Sequence, residues 1–448
     1  MKKNSFSSFL TILLGSVGGI LFGYDNGIIG GALVYLTKDY KITPLASSFT
    51  VSSILLGAFI GAPLAGFIAD KVGRRWVILV MGCIFAVGAI WSSQAQSDLQ
   101  VIIIRFFLGL SVGGSSALVP LYLSENAPTH MRGMLASFDQ LMINTGTLLS
   151  TIAAFVLAAT GNWRLMFGLA IIPAVLMIAG VFLMPESPRW LVTKGRIEEA
   201  KKIMLKTRTP EEMDEEISGI IATNQLESNG MKELAKPYMK RILVLAVIVL
   251  MIQQFSGINT ILFYLPTILT GMGISTKAAI AVNIGSAALG IVCTIIFSRL
   301  IDKVGRRRIL LLSSIMLAVA LFILSMCAFV PNPNIVVGII FLFAIYLFRV
   351  FYSCGWGPGS WVYVSEIFPL RVRGRASSIA VMGNWAANWF VAFIFPLMVA
   401  AMGIGVTLLF FVAFNLAGFF YAKSQLFETK GLSLEQIEAH FRTTYGDK

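Results

Sequence analysis

Charge is scarce in this chain. Asp, Glu, Lys and Arg make up only 13% of its 448 residues and hydrophobic residues 57%, whereas soluble globular chains carry roughly 25% charged residues. A water-soluble globule is thereby excluded, and a mean hydropathy of +0.81 puts the chain in a lipid bilayer. Histidine is scarcer still: the two present, His130 and His440, lie outside the apolar stretches, which leaves little from which to build an imidazole-based catalytic or metal centre. The four cysteines, Cys83, Cys293, Cys327 and Cys354, are scattered through apolar sequence without C-x-x-C spacing. They read as small buried hydrophobes, with no disulfide or metal implied. A Walker-type phosphate loop is absent, so ATP is not the energy source. An enzyme is disfavoured, and no cofactor is expected.

What is abundant is apolar sequence with a basic bias. Lys and Arg number 35 against 22 Asp and Glu, an excess that would suggest nucleic acid in a soluble protein and here signals orientation instead. Apolar windows of about 20 residues predict twelve helices, centred near Gly18, Leu56, Phe85, Leu110, Leu148, Ile172, Ile252, Ala288, Ala318, Tyr346, Trp389 and Phe411. With both termini placed in the cytoplasm, inner loops and tails hold 29 of the 35 basic residues. Lys38, Lys41, Arg164 and Lys277 fall outside, and Arg105 and Arg349 lie within helices. Met1-Lys2-Lys3 before an apolar run has the outline of a secretory signal, but no small-x-small cleavage site follows, so a retained first helix is expected.

The hexapeptide Asp-Lys-Val-Gly-Arg-Arg occurs at 70–75 and again at 302–307, and such a charged run belongs in a water-facing loop between spans. Tyr122-Leu-Ser-Glu125, Pro128 and Arg132-Gly133 match Tyr363-Val-Ser-Glu366, Pro369 and Arg373-Gly374 with identical internal spacings. The chain is a duplicated six-helix block: 1–184 and 241–427 as bundles, 185–240 as a loop with short amphipathic helices at the membrane face, and 428–448 as a tail. The helices expected in the loop cover Arg196–Met204 and Pro210–Ile221, and Ser433-Leu-Glu-Gln436 has the shape of a capping box opening one more. Two such blocks leave their shared interface as the natural place for a substrate near the bilayer midplane.

Together with Pro185-Glu-Ser-Pro-Arg-Trp190, Gln253-Gln254-Phe-Ser-Gly-Ile-Asn259 and Glu428-Thr-Lys-Gly431, these motifs resemble the sugar porter family of the major facilitator superfamily from about residue 15 to 440, bacterial proton-coupled glucose and xylose transporters above all. The resemblance implies an all-α membrane protein, twelve transmembrane helices in two pseudo-symmetric bundles, in the cell membrane, working as a monomer with lipid, a monosaccharide and a proton as partners.

Asp25, in Phe22-Gly-Tyr-Asp-Asn26, costs on the order of 2.5 to 3.5 kcal/mol to place mid-membrane even on the gentler insertion scale, and Arg105 is its natural counter-charge. Desolvation apart from the arginine favours the protonated acid and contact with it favours the ionised one, so a movement separating them makes a proton switch; the resemblance implies that this is the coupling pair. Gln253, Gln254 and Asn259 each donate and accept hydrogen bonds, as sugar hydroxyls do, although helix–helix glue is the plain alternative. The resemblance adds Phe22, Gln140, Trp356, Asn384 and Trp385 to the sugar site, leaving Trp91 and Trp163 for an interfacial belt. It also implies a gating network of Asp70, Arg74, Glu125 and Arg132 with Asp302, Arg306, Glu366 and Arg373. The chain departs from the family at Ile104, usually Gly, at Gly290, usually Asn, at Phe263, a Tyr in xylose-type members, and at Phe427, usually Pro. Arg349 and Asp139 have no family role. The expectation is proton-coupled import of a glucose-like hexose or a pentose by alternating access; a facilitative uniporter and a transport-deficient sensor remain open.

Overall fold

A backbone in hydrocarbon must satisfy its hydrogen bonds within its own segment, which long apolar runs do by forming helices. A computed structural model of the chain describes residues 17–126, 132–227, 234, 236–331, 334–369, 372–432 and 434–445, and every regular element among them is a helix. The first set comprises α1 (Val17–Tyr40), α2 (Pro44–Val72), α3 (Arg74–Ser93), α4 (Asp98–Asn126), α5 (Arg132–Leu157), α6 (Trp163–Gly168) and α7 (Ile171–Leu183). Short helices α8 (Pro188–Thr193), α9 (Ile197–Met204) and α10 (Pro210–Glu227) follow. The second set comprises α11 (Pro237–Phe255), α12 (Ile258–Gly271), α13 (Thr276–Val304), α14 (Arg306–Ala328), α15 (Ile335–Ser353), α16 (Trp356–Ile367), α17 (Arg373–Gln425) and α18 (Leu434–Tyr445). Eleven stretches are long and apolar enough to span a membrane, with α6–α7, α11–α12 and α15–α16 each forming one. The 53-residue α17 carries a non-helical glycine, Gly403 at φ 79°, and folds as two spans, which completes the expected twelve.

The first helix runs well past the expected centre at Gly18. Asp25, Asn26 and Lys38 depress an apolar window, yet α1 is inward-facing, 83% of its most apolar stretch being buried, and an interior helix tolerates polar groups with partners.

The chain divides into two units, Met1–Tyr35 with Ser53–Asn229 and Leu36–Ser52 with Gly230–Lys448. These boundaries differ from those expected at 184/185 and 427/428: the loop helices group with the first unit and the tail with the second. The reason is packing. The apolar faces of α8–α10 form a small core of Trp190, Leu191, Val192, Ala200, Met204, Met213 and Ile217. The apolar faces of these loop helices are thus used against one another.

Within the first unit, glycines set the helix spacing. Gly57 on α2 faces Gly109 on α4, Gly61 faces the Leu110 backbone and Gly113 that of Ala58, and a Cβ on Gly109 would meet the backbone of Ile54, the small-residue seam by which membrane helices approach closely. Gly66 on α2 has nothing within 4 Å of a built Cβ. Gly109→Ala should therefore lower the thermal transition of the detergent-purified protein, by about 1–3 kcal/mol of overpacking, while Gly66→Ala holds or raises it; thermal melts of the two variants check this.

Candidate functional site

Three polar assemblies interrupt the apolar helices. The first is an ion pair in the first unit. Asp25 on α1 and Arg105 on α4 are 4% and 1% exposed, and the guanidinium donates from Nη1 to Oδ1 at 3.4 Å and from Nη2 to Oδ2 at 3.3 Å. Arg105 also lies over the Phe167 ring, 5.7 Å from its centroid. Gly23 and Gly27 flank Asp25 and admit the backbone of α5, where Ile143 and Thr147 occupy the space a Cβ would need. The neighbouring Tyr24 hydroxyl donates to the Met166 carbonyl at 3.0 Å. Ile104 is fully buried and leaves Arg105 in reach of Asp25. Phe22 and Gln140 are half-buried in this same unit.

The second assembly is an amide network in the second unit, at the break between α11 and α12. Gly257 adopts a left-handed conformation, φ 91°, and Asn415 donates to the freed Ser256 carbonyl at 3.2 Å. Around this break Asn384 Nδ2 donates to the Leu250 carbonyl at 2.9 Å and to Gln253 Oε1 at 2.8 Å. Gln254 Nε2 donates to Asn384 Oδ1 at 3.2 Å, and Asn259 Nδ2 donates to Gln254 Oε1 at 2.7 Å and to Asn388 Oδ1 at 2.6 Å. Gln253 Nε2 donates to the Gly357 carbonyl at 2.6 Å, tying the network to the start of α16. Four sequence-expected amides are thus gathered in one place. Asn388 joins them without having been singled out, although its position one turn after Asn384 was a signal. Trp356 is fully buried and its indole donates to Ser314 Oγ at 2.7 Å, which fixes the plane of the ring; Trp385 is buried one residue after Asn384. Phe263 is buried too.

The third is a pair of loop latches, one in each unit. Arg74 contacts Asp70 at 3.0 Å and Glu125 at 3.2 Å, and Arg306 contacts Asp302 at 3.0 Å and Glu366 at 2.8 Å. The aspartates are 72% and 73% exposed against 4% and 22% for the glutamates, so solvent screens the former toward the low end of about 0.2–1 kcal/mol and the glutamates carry the interaction. The sequence quoted Glu186 and Glu428 in separate motifs without seeing that they do one job. Glu186 Oε1 accepts from the Arg74 and Arg75 amides at 3.0 and 3.2 Å, and Glu428 accepts from the Arg306 and Arg307 amides at 2.7 and 3.2 Å. Each carboxylate sits at a helix N-terminus, where the free N–H groups and the dipole favour it. Gly73 and Gly305, at φ 106° and 100°, leave room where a Cβ would strike those carboxylates. The next residues, Ser187 and Thr429, donate to Glu125 and Glu366 at 2.5 and 2.6 Å. Arg373 donates twice to the Phe368 carbonyl, at 3.2 and 3.1 Å, leaving Arg306 and Thr429 as the partners of Glu366. The side chains of Arg132 and Asp139, together with Pro128 and Ser433, lie outside the described residues. By contrast, Arg196, just before α9, and Glu199 on that helix pair at the exposed surface; Arg196 holds the Glu199 carboxyl below its ordinary range by hydrogen bonding.

The cysteines divide. Cys293 and Cys327 are buried as expected, but Cys83 is exposed and Cys354 intermediate; Cys83 lies on the outer side of an apolar helix, where small hydrophobes are at home. Cys354 lies beside α13, its Sγ 3.6 Å from the Cys293 carbonyl.

Residues 11–441 match the profile of a family described as "Sugar (and other) transporter". The chain is 38% identical to the probable metabolite transport protein CsbC of Bacillus subtilis, over 100% of this chain and 97% of that one. It is 35% identical to the glucose transporter GlcP of Staphylococcus epidermidis, over 100% and 99%. Among solved structures it is similar to XylE of E. coli, a proton:xylose symporter held with 6-bromo-6-deoxy-D-glucose, at a TM-score of 0.81 and 29% identity over 98% of this chain and 100% of that one. Twelve apolar spans, a duplicated loop latch and a full-length family match agree: the chain is a membrane transporter, not an enzyme, and belongs to the sugar porter family of the major facilitator superfamily.

Proposed function

We propose that this protein imports a monosaccharide, a hexose or a pentose, together with a proton across the cell membrane by alternating access, with both termini in the cytoplasm. The observation that carries the coupling half of the reading is the Asp25–Arg105 pair. Two charges taken out of water recover their desolvation only with good geometry and further hydrogen bonds, and an apolar pair of similar volume is often as stable. At 3.3–3.4 Å the contacts are long for charge-assisted hydrogen bonds, which cluster near 2.7–2.9 Å. Such a pair is poorly justified as a stability device and well suited to being opened. Protonation of Asp25 removes the attraction that holds Arg105, and reionisation restores it; sugar binding and release would accompany those two states. One positive charge moving inward through 100 mV supplies about 2.3 kcal/mol, which drives accumulation of an uncharged solute.

The amide network supports the sugar half. Gln253, Gln254, Asn259 and Asn384 already exchange hydrogen bonds with one another, so ligand hydroxyls can replace amide partners without leaving buried groups unsatisfied. That GlcP is a glucose transporter and XylE carries xylose makes a hexose or pentose the substrate class to test first. The latches of Arg74 and Arg306 act as closures of the cytoplasmic ends, each weak enough to break within a transport cycle.

In reconstituted proteoliposomes, Asp25→Asn should abolish uphill accumulation of labelled sugar while sparing counterflow exchange, which needs no proton gradient; accumulation at the unmutated level would contradict the coupling role. Gln254→Ala, removing one buried donor–acceptor pair, should raise the KM for the transported sugar by about tenfold or more without altering the proton-to-sugar ratio, as measured by initial rates across a concentration series.

A further inference from the structure

The second unit buries a cation for which the carrier cycle above has no use. Arg349 sits about one turn from the end of α15, 6% exposed, inside a span of mean hydropathy 2.4. Its one hydrogen bond among the described residues runs from Nε to the Ser286 carbonyl on α13, at 3.2 Å. No carboxylate of the described residues comes within ion-pairing distance of it, in contrast to Arg105, which has Asp25. A guanidinium offers five N–H donors; four of these find no acceptor among the described residues.

The space it occupies is made by a departure already noted in the sequence. Gly290, where the family usually has Asn, lies directly under the guanidinium: a Cβ there would fall 2.8 Å from both Cζ and Nε and closer still to Nη2. An asparagine at 290 and an arginine at 349 in this rotamer cannot coexist. The missing side chain at 290 is what leaves room for a cation on the α13–α15 face. That spot is not remote from the amide network. Arg349 precedes Trp356 by seven residues, about 10 Å along a helical path, and Gln253 bonds the carbonyl of Gly357, the residue after Trp356. A sugar ring and a substituent span a comparable length.

We propose that Arg349, seated over Gly290, recognises an anionic substituent of the transported solute, so that the preferred substrates are monosaccharide acids whose single carboxylate pairs with this guanidinium. A planar fork of N–H groups matches a carboxylate in bidentate fashion. One cation balances one negative charge, which favours a monocarboxylate over a phosphate dianion. An unpaired charged side chain within a membrane span marks a substrate or ion path by default. The inference rests on the sugar-carrier reading and narrows its substrate.

The test is uptake by the full chain in proteoliposomes of labelled D-glucuronate and D-galacturonate, beside D-glucose, D-galactose and D-glucose 6-phosphate. At least one sugar acid should be taken up with a KM about tenfold or more below that of its neutral parent. Arg349→Gln should weaken acid uptake by about 10- to 100-fold, the worth of charge-assisted hydrogen bonds, while changing uptake of the neutral parent far less. Gly290→Asn, which displaces the guanidinium, should give the same selective loss and serves where Arg349→Gln does not fold. Transport of neutral sugars with no uptake of or competition by the acids overturns the inference and leaves the sugar-carrier reading intact, as does equal loss of both substrates in Arg349→Gln and Gly290→Asn. Uptake of the sugar phosphate in preference to the acids overturns the monocarboxylate assignment. Absence of any sugar or acid transport removes the carrier reading itself, and the inference with it.

Discussion

Burying a charge among apolar helices is the constraint from which the rest of this protein follows. A carboxylate inside the bilayer cannot be left alone, and Asp25 is placed within reach of Arg105 by a helix packing that depends on Gly23 and Gly27 letting α5 close against α1. The pair is enclosed rather than solvated, so its opening must be coupled to movement of the helices that carry it. The same constraint explains why the hexapeptide loops hold most of their charge in water-facing positions, and why their buried glutamates are each matched by an arginine and a hydroxyl.

The two units share machinery and divide chemistry. The latch is repeated almost atom for atom: a positive-φ glycine, two amides capped by a glutamate, and a second glutamate bridging an arginine and a hydroxyl. Among the described residues, neither Asp25–Arg105 nor the amide network is repeated in the other unit. The repeat gives the two units matching latches, and the Asp25–Arg105 pair and the amide network lie where the halves differ.

Apolar length made the spans legible in the sequence, and the repeated motifs made the two halves legible; Gln253, Gln254 and Asn259 were identifiable as amides that donate and accept inside an apolar helix, and Asn384 through the family resemblance. What escaped was set by tertiary contact. Hydropathy did not show that α1 continues past Asp25 to Tyr40, since the partner of that buried carboxylate, Arg105, lies 80 residues away in the sequence. The break after Phe255 and the kink at Gly403 are backbone events at single glycines among 41. Periodicity revealed the apolar faces of the loop helices but not what covers them; α8–α10 pack those faces against one another. Glu186 and Glu428 act as equivalents, but they stand 61 and 62 residues beyond the motifs' other glutamates and beside unlike neighbours. Arg349 was visible as an oddity, and only its seat over Gly290 ties two oddities into one.

The central claim is that sugar and proton cross together through the switch at Asp25. It is tested most directly by recording the pH of a weakly buffered medium outside proteoliposomes when substrate is added without any imposed gradient. The account predicts a transient external alkalinisation with the unmutated protein and none with Asp25→Asn. Substrate uptake with no pH change, or an equal change in the variant, would contradict it.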